Sequence, residues 1–406
     1  MKSTLFHLKR YSQKTTATIA IGISLLLLNL FSIALAQSET EPNPLGSPTG
    51  DPLLPLIRRP LSPLERRLLR ETLVEMDLEA KAALNAENED EAFEIWYRYL
   101  RLHQKLTPLE EIEALGNVGE IAWDQTRGPD VQIIVERLVK IEQRLTKKEP
   151  LSPEMLNRLA IAYDQVHSID NALNIQEKIL ENNRNDGDID AEEETLNKIG
   201  ELYQAQFDYA NAAATYERLL DIAEFEENAY TQGLYLQKLA KIYTAASRPE
   251  NAIRIKNDLA DNYLANQDIL ALADLKISIG DDYVLLGEAE QASQNYQEAF
   301  SIAWSLQQFG AAGQALKRLG KLYENNDQDD YALRIYYELI KVEQESYNYY
   351  GLMQTYDAIG LIHLERQQYQ QARTVFEAAL DIAQSLKYQV DYFLTQLDKV
   401  NQQMQQ

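Results

Sequence analysis

The sequence predicts an all-α solenoid of helix-turn-helix repeats, and three observations predict it. A pattern of apolar, small and aromatic residues recurs every forty positions from residue 153 onward. Within each copy the apolar residues fall at i, i+3, i+4 and i+7, the spacing of a helix with one buried face. Prolines are concentrated at the start: seven of the twelve lie between residues 41 and 63.

The elements follow in chain order. Lys2, Lys9, Arg10 and Lys14 form a basic start to an apolar run from Ala17 to Ile33. Ala34-Leu35-Ala36 closes it with the small-x-small pattern of a signal-peptidase site, so residues 1–36 read as a Sec signal peptide. The alternative is an uncleaved anchor, against which Asn29 and Ser32 count. Export to the periplasm or a comparable extracytoplasmic space is expected. Residues 37–63, with Pro42, Pro44, Pro48, Pro52, Pro55, Pro60 and Pro63, read as an extended, semi-stiff linker.

The solenoid is expected over residues 64–404. Six clear repeats start at 153, 193, 233, 273, 313 and 353. Their signature is Leu156, Leu159, Ala160, Tyr163 and Ala172, then Leu196, Ile199, Gly200, Tyr203 and Ala212, and so on to Tyr356, Ile359, Gly360, His363 and Ala372. Weaker copies start near 73, marked by Ala92, Trp96 and Tyr99, and near 112, marked by Leu115, Val118, Gly119 and Ala122. The small residues allow two helices to approach closely, and the tyrosine three positions later is expected to fill space beside that crossing. Residues 391–404 read as a closing helix that covers the last repeat.

These residues resemble the tetratricopeptide repeat (TPR), L-x-x-L-G-x-x-Y…A-x-x-x-Y/F-x-x-A/L, over most of the chain. The forty-residue period departs from the usual thirty-four. The resemblance implies a right-handed superhelix of about eight repeats. It also implies a binding face lined by the first helix of each repeat. On that face would stand Asn157, Asn197, Gln237 and Lys317 at one level, Arg158, Lys198, Lys238 and Arg318 at the next, then Lys241 and Lys321. Amides could bond the backbone of an extended peptide, and the cations would favour acidic segments of a partner protein.

Composition excludes several classes. With no cysteine there is no disulfide, thiolate metal site or iron–sulfur cluster. The formal charge of -24 argues against duplex nucleic acid or anionic lipid as the main partner. No phosphate-binding, zinc-protease or nucleophile-elbow motif occurs, so no enzyme and no required cofactor are expected. His167, Ser168 and Asp170 offer hydrolase residue types, but adjacent in sequence they read as a turn. An acidic segment with Asp186, Asp188, Asp190 and Glu193 half-matches a calcium loop, which leaves Mn²⁺ or Ca²⁺ binding open beside an ordinary solvated turn.

The overall layout of signal, proline-rich linker and TPR array also resembles a cyanobacterial periplasmic family that assists early photosystem II assembly. That resemblance implies a partner in the C-terminal region of the D1 protein and a role in manganese loading. The other readings are a general periplasmic scaffold for envelope or secretion complexes, and a metal-handling acidic protein. Membrane contact is expected only through an uncleaved signal or a membrane-bound partner.

Overall fold

In a computed structural model of the protein, residues 44–405 are described, apart from 49 and 58. The expected signal peptide and the first part of the linker lie outside them. The described residues form an all-α repeat fold of two compact units, 1–172 and 173–406.

In the first unit, α1 (Pro63–Asn85) packs on α2 (Glu89–His103), and α3 (Pro108–Asp124) packs on both α4 (Gly128–Thr146) and α5 (Pro153–Gln165). Two of these helices begin with capping boxes. Ser62 and Thr107 accept from the amides of Glu65 and Glu110, whose carboxylates bond back to the capping residue, with Pro63 and Pro108 at the first helical position.

α6 (Ile169–Asp186) spans the division. The second unit continues with α7 (Ile189–Ala205), α8 (Tyr209–Phe225), α9 (Ala229–Ala245), α10 (Pro249–Ala265), α11 (Leu272–Leu285), α12 (Ala289–Ser305), α13 (Phe309–Asn325), α14 (Asp329–Glu345), α15 (Tyr349–Glu365), α16 (Tyr369–Leu386) and α17 (Val390–Met404). From α7 onward each helix packs on the next in sequence.

The turns show a finer period than the sequence displayed. Residues 167, 187, 207, 227, 247, 267, 287, 307, 327, 347, 367 and 387 all have positive φ, at intervals of twenty. Each ends a helix with the same pair of bonds: Phe207 N donates to Gln204 O, and Asp208 N donates to Tyr203 O. Turns within a repeat and between repeats are therefore alike. Only two of the twelve positions are glycine; the others include Phe207, Ser247, Asp327 and Tyr347.

Alternate helices differ in what they bring to the crossing. Gly200, Gly280, Gly320 and Gly360 lie on the first helices, and a Cβ there would fall 2.4–2.7 Å from the ring of Tyr216, Tyr296, Tyr336 or Phe376 respectively. The expected tyrosine stands beside the crossing, Tyr283 and Tyr323 packing on the cluster of Ala292 and Tyr296, but the space at the glycine itself is taken by another residue. The space is filled by an aromatic residue of the second helix, sixteen positions on. The hydroxyl of the tyrosine three after the glycine or alanine reaches sideways: Tyr243 bonds Glu217 at 2.7 Å and Tyr323 meets Ser293 at 3.0 Å. Where alanine replaces the glycine, the aromatic is gone. Ala160 goes with Gln176, and Ala240 with Lys256.

The end of the proline-rich segment also departs from the expected free spacer. Arg98 holds Asp51 through two bonds of 2.9 and 3.2 Å, and Arg101 and Gln104 bond the carbonyls of Pro44 and Leu45. Leu45 is buried, and Leu54 packs on a cluster of Leu61, Leu69 and Leu73. Proline cannot donate to a ladder, but its carbonyls still accept, and α2 supplies the donors. At the far end, Phe393 and Val400 of α17 bury against Met353 and Phe376.

Candidate functional site

The first helices of the second unit are joined sideways into a wall. Asn197 donates to the Tyr235 hydroxyl at 2.8 Å, Lys238 approaches Glu201 at 3.6 Å, and Arg318 pairs with Asp281 at 3.2 Å. Lys317 donates to Gln354 at 2.9 Å. In the first unit Arg158 approaches Glu113 at 3.4 Å. Several bonds share one offset, thirty-seven residues: one repeat forward and one helical turn back. Within single helices Lys198 pairs with Glu194 and Lys321 with Glu324, both at exposed positions. The expected cationic strip is therefore a row of charge pairs, in which acidic neighbours meet most of the cations. Asn157 and Lys241 are exposed, and Gln237 bonds the Tyr263 hydroxyl.

The sequence-predicted residues come together best between α13 and α15. A cleft of about 230 Å³ opens there over α14. Lys317 and Lys321 stand on one side, Gln354 and Asp357 on the other, with Leu339, Ala358 and Leu361 supplying apolar lining. Tyr336 contributes its ring, and its hydroxyl donates to Glu324 at 2.9 Å.

Two acids in the cleft sit in unusual surroundings. Glu343 is almost fully buried under Gly351, and burial pushes its carboxyl up from the ordinary range, opposed by the Asn348 amide and by Lys317. Asp357 is likewise pushed up by burial, partly offset by the Tyr392 hydroxyl, which lies 3.1 and 3.2 Å from its two oxygens. Both carboxyls therefore hold a proton to higher pH than a free carboxyl does.

Sequence reading held the second-helix aromatics only as the Y/F of the repeat pattern and missed where their hydroxyls go. Tyr296 and Tyr336 come from second helices, yet their hydroxyls reach Asp281 and Glu324 on the first-helix wall. The signal was present as an aromatic sixteen residues after each glycine. It pointed to packing and not to the hydroxyl beyond the ring.

The acidic segment after α6 is not gathered around a point. Asp188 caps α7 by accepting from the Ala191 amide at 3.0 Å. Glu193 accepts from the Tyr235 hydroxyl at 2.5 Å, while Asp190 is exposed and Asp186 ends α6. Among the described residues no group of three or more His, Asp or Glu side chains is placed to hold a metal ion. The second acidic turn is tied up by Arg366, which bonds Asp329 at 3.1 Å and Asp330 at 2.7 Å. His167 holds the left-handed turn position and stacks on Trp123 at 4.2 Å. Neighbouring Ser168 accepts from Asn171. His363 is buried between Gln368 and Tyr337.

The tetratricopeptide repeat family model matches residues 193–225 and 354–386. Those two segments match the tetratricopeptide repeat. Both matched segments are first-helix and second-helix pairs, and the second includes much of the cleft's α15 side. No curated protein matches the chain.

Among solved structures, a STAND ATPase with a tetratricopeptide repeat sensor from Pyrococcus horikoshii is 16% identical with a TM-score of 0.42, covering 76% of this chain and 49% of that one. A tetratricopeptide repeat protein from Parabacteroides merdae is 17% identical with a TM-score of 0.33, covering 70% and 99%. A Rap protein complexed with competence and sporulation factor is 15% identical with a TM-score of 0.31, covering 82% and 98%. Scores this low assign no role to this chain.

Proposed function

We propose that this chain is a non-catalytic scaffold whose first-helix wall grips an extended segment of a partner protein, with the cleft between α13 and α15 as its anchor point. One observation carries the reading. The cleft combines an apolar lining with lysines on one side and hydrogen-bonding groups on the other, the composition that seats one apolar side chain and its flanking backbone. Lys317 and Lys321 favour an acidic residue next to that anchor.

The finer reading follows from the sequence resemblance. The chain would be exported to an extracytoplasmic space and would serve photosystem II assembly by holding the C-terminal region of D1. Manganese delivery has the weaker support, since the acidic turns gather no donor set among the described residues.

The test is a photo-crosslinking residue at Gln354, with the captured segment mapped by mass spectrometry. Crosslinks to one acidic, apolar segment should appear and vanish when Ala358→Trp fills the cleft. Crosslinks that survive the filling, with the fold intact, would remove the cleft from the mechanism. Capture of a segment other than D1 would leave the scaffold and discard the photosystem II assignment.

A further inference from the structure

The N-terminal end of the first unit differs from the rest of this acidic chain. Between positions 53 and 70 stand five arginines and a single acidic residue, Glu65. Glu65 is taken up by Arg59, at 2.6 and 2.8 Å, which ties the preceding loop to the first turn of α1. Arg70 pairs with Glu110 at 2.6 Å, while Arg66 and Arg67 are exposed on that helix, Arg67 beside the exposed Glu71 at 3.0 Å.

The same stretch exposes aliphatic side chains that a soluble surface would not collect. Leu56 is fully exposed at 102% and Ile57 at 77%, with Leu64 at 66%, Leu68 at 53% and Leu53 at 39%. Single exposed leucines are ordinary, but five within sixteen residues, interleaved with arginine, form a patch. The loop that carries Leu53, Leu56 and Ile57 is held in place by the Asp51–Arg98 pair and by Leu54 in the cluster below. These residues are therefore presented outward on a fixed platform.

We propose that this end docks on the surface of an anionic lipid bilayer. Leucine and isoleucine would enter the headgroup boundary while arginines meet the lipid phosphates. The charge distribution chooses lipid over a second copy of the chain. A like copy would bring arginine against arginine here, and the rest of the chain is strongly acidic. That acidic remainder would be repelled by the same lipids, so contact would be confined to this patch. The sequence also places the patch shortly downstream of the apolar run Ala17–Ile33. Farther along α1 the exposed Val74 and Leu78 sit among Glu71, Glu75 and Asp77, which limits the lipid face to the first turns.

The absence of cysteine makes a site-specific test direct. Leu56→Cys in the full chain is labelled with an environment-sensitive fluorophore and mixed with phosphatidylglycerol or phosphatidylcholine vesicles. The label should shift to the blue and be quenched by spin-labelled acyl chains on the anionic vesicles only. The same label at Phe225→Cys, exposed in the second unit, should not respond. Arg66→Glu with Arg67→Glu should weaken the response at position 56 at least about tenfold. Insertion of the upstream apolar run alone would bring the label to neutral and anionic vesicles alike and would not depend on Arg66 and Arg67. A label that stays in water on anionic vesicles would overturn the proposal. So would an equal response on neutral vesicles. Shielding without vesicles would also overturn it, marking a second copy if it grows with protein concentration and the chain's own N-terminus if it does not.

Discussion

At the scale of single residues, the fold tolerates local strain in a regular place. Ten non-glycine residues occupy the left-handed turn position at twenty-residue intervals, and each accepts a conformation its Cβ disfavours. Phe207→Gly is therefore expected to raise stability, by about 0.5–1 kcal/mol after the entropy of the added glycine is counted. A chemical melt of the two proteins checks it. The ionisable residues divide by sign. Glu110 is held down to about 2 by Arg70 and the Thr107 cap. Its contribution is fully present above the ordinary value of 4.5 and is lost as pH falls from there toward about 2. Glu343 and Asp357 are raised by burial, so they favour folding at low pH and oppose it as pH rises through their values. With Trp304→Phe, fluorescence of Trp96 and Trp123 should show the first unit losing stability between pH 4.5 and 2, and Glu110→Gln should flatten that loss. Glu343→Gln should instead stabilise the second unit at neutral pH.

At the scale of helix pairs, the repeat is specified by coupled choices. Glycine on the first helix and an aromatic on the second are one decision made at two places. The two clear repeats that depart from it lose both residues together, and one of them shows how. Ala240 faces the position where Lys256 replaces the aromatic, and Lys256 is buried against Asp282 at 2.5 Å. Asp282 in turn occupies a position that is Leu202, Ile242, Leu322 and Ile362 in other repeats. Replacing Lys256 alone by Met should cost about 3–5 kcal/mol, because a buried carboxylate is left without its cation. Replacing the set, with Ala240→Gly, Lys256→Tyr and Asp282→Leu, should recover most of that loss. Amide exchange in α10 and α11 reads both outcomes locally, which suits a repeat protein whose melting need not be two-state.

At this scale it is also plain what the sequence disclosed. The forty-residue period and its small residues were legible because one residue type recurs at each place. The twenty-residue turn was hidden because Phe, Glu, Ser, Gln, Asp and Tyr all serve at its left-handed position. For the candidate site, residue types on the wall were legible but their partners were not. The pairs cross from one repeat to the next, and only the thirty-seven-residue offset, read after the helices are placed, announces them. The docking of the proline-rich segment left no pattern, since backbone carbonyls do the bonding.

At the scale of the whole molecule, the alternation of helix roles sets which length changes the chain accepts. Excising residues 248–287 removes two helices and rejoins like turns, so first helices still meet second helices. It also removes Lys256 and Asp282 together. The new neighbours would be Ala240 and Tyr296, where the aromatic calls for glycine. The excision should therefore fold better with Ala240→Gly than without it. Excising residues 248–267 alone removes one helix and exchanges the roles of those downstream, and it should fail. Circular dichroism and denaturant melts of the three proteins decide the matter.

The sideways bonds along the wall have a mechanical meaning. A chain built only from neighbours in sequence resembles a concertina: pulled from its ends, it can surrender one fold at a time while the remaining folds keep their shape. Each surrendered helix pair would release forty residues, a length of about 130–140 Å when drawn straight. The charge pairs that join one repeat to the next must part before a helix pair can leave, like rivets along a seam. The joint at Lys256 and Asp282 is the buried one and the least forgiving, since once parted it leaves two bare charges that only water can satisfy. Load on this protein would then be shared unevenly, with the softer repeats yielding first and sparing that joint.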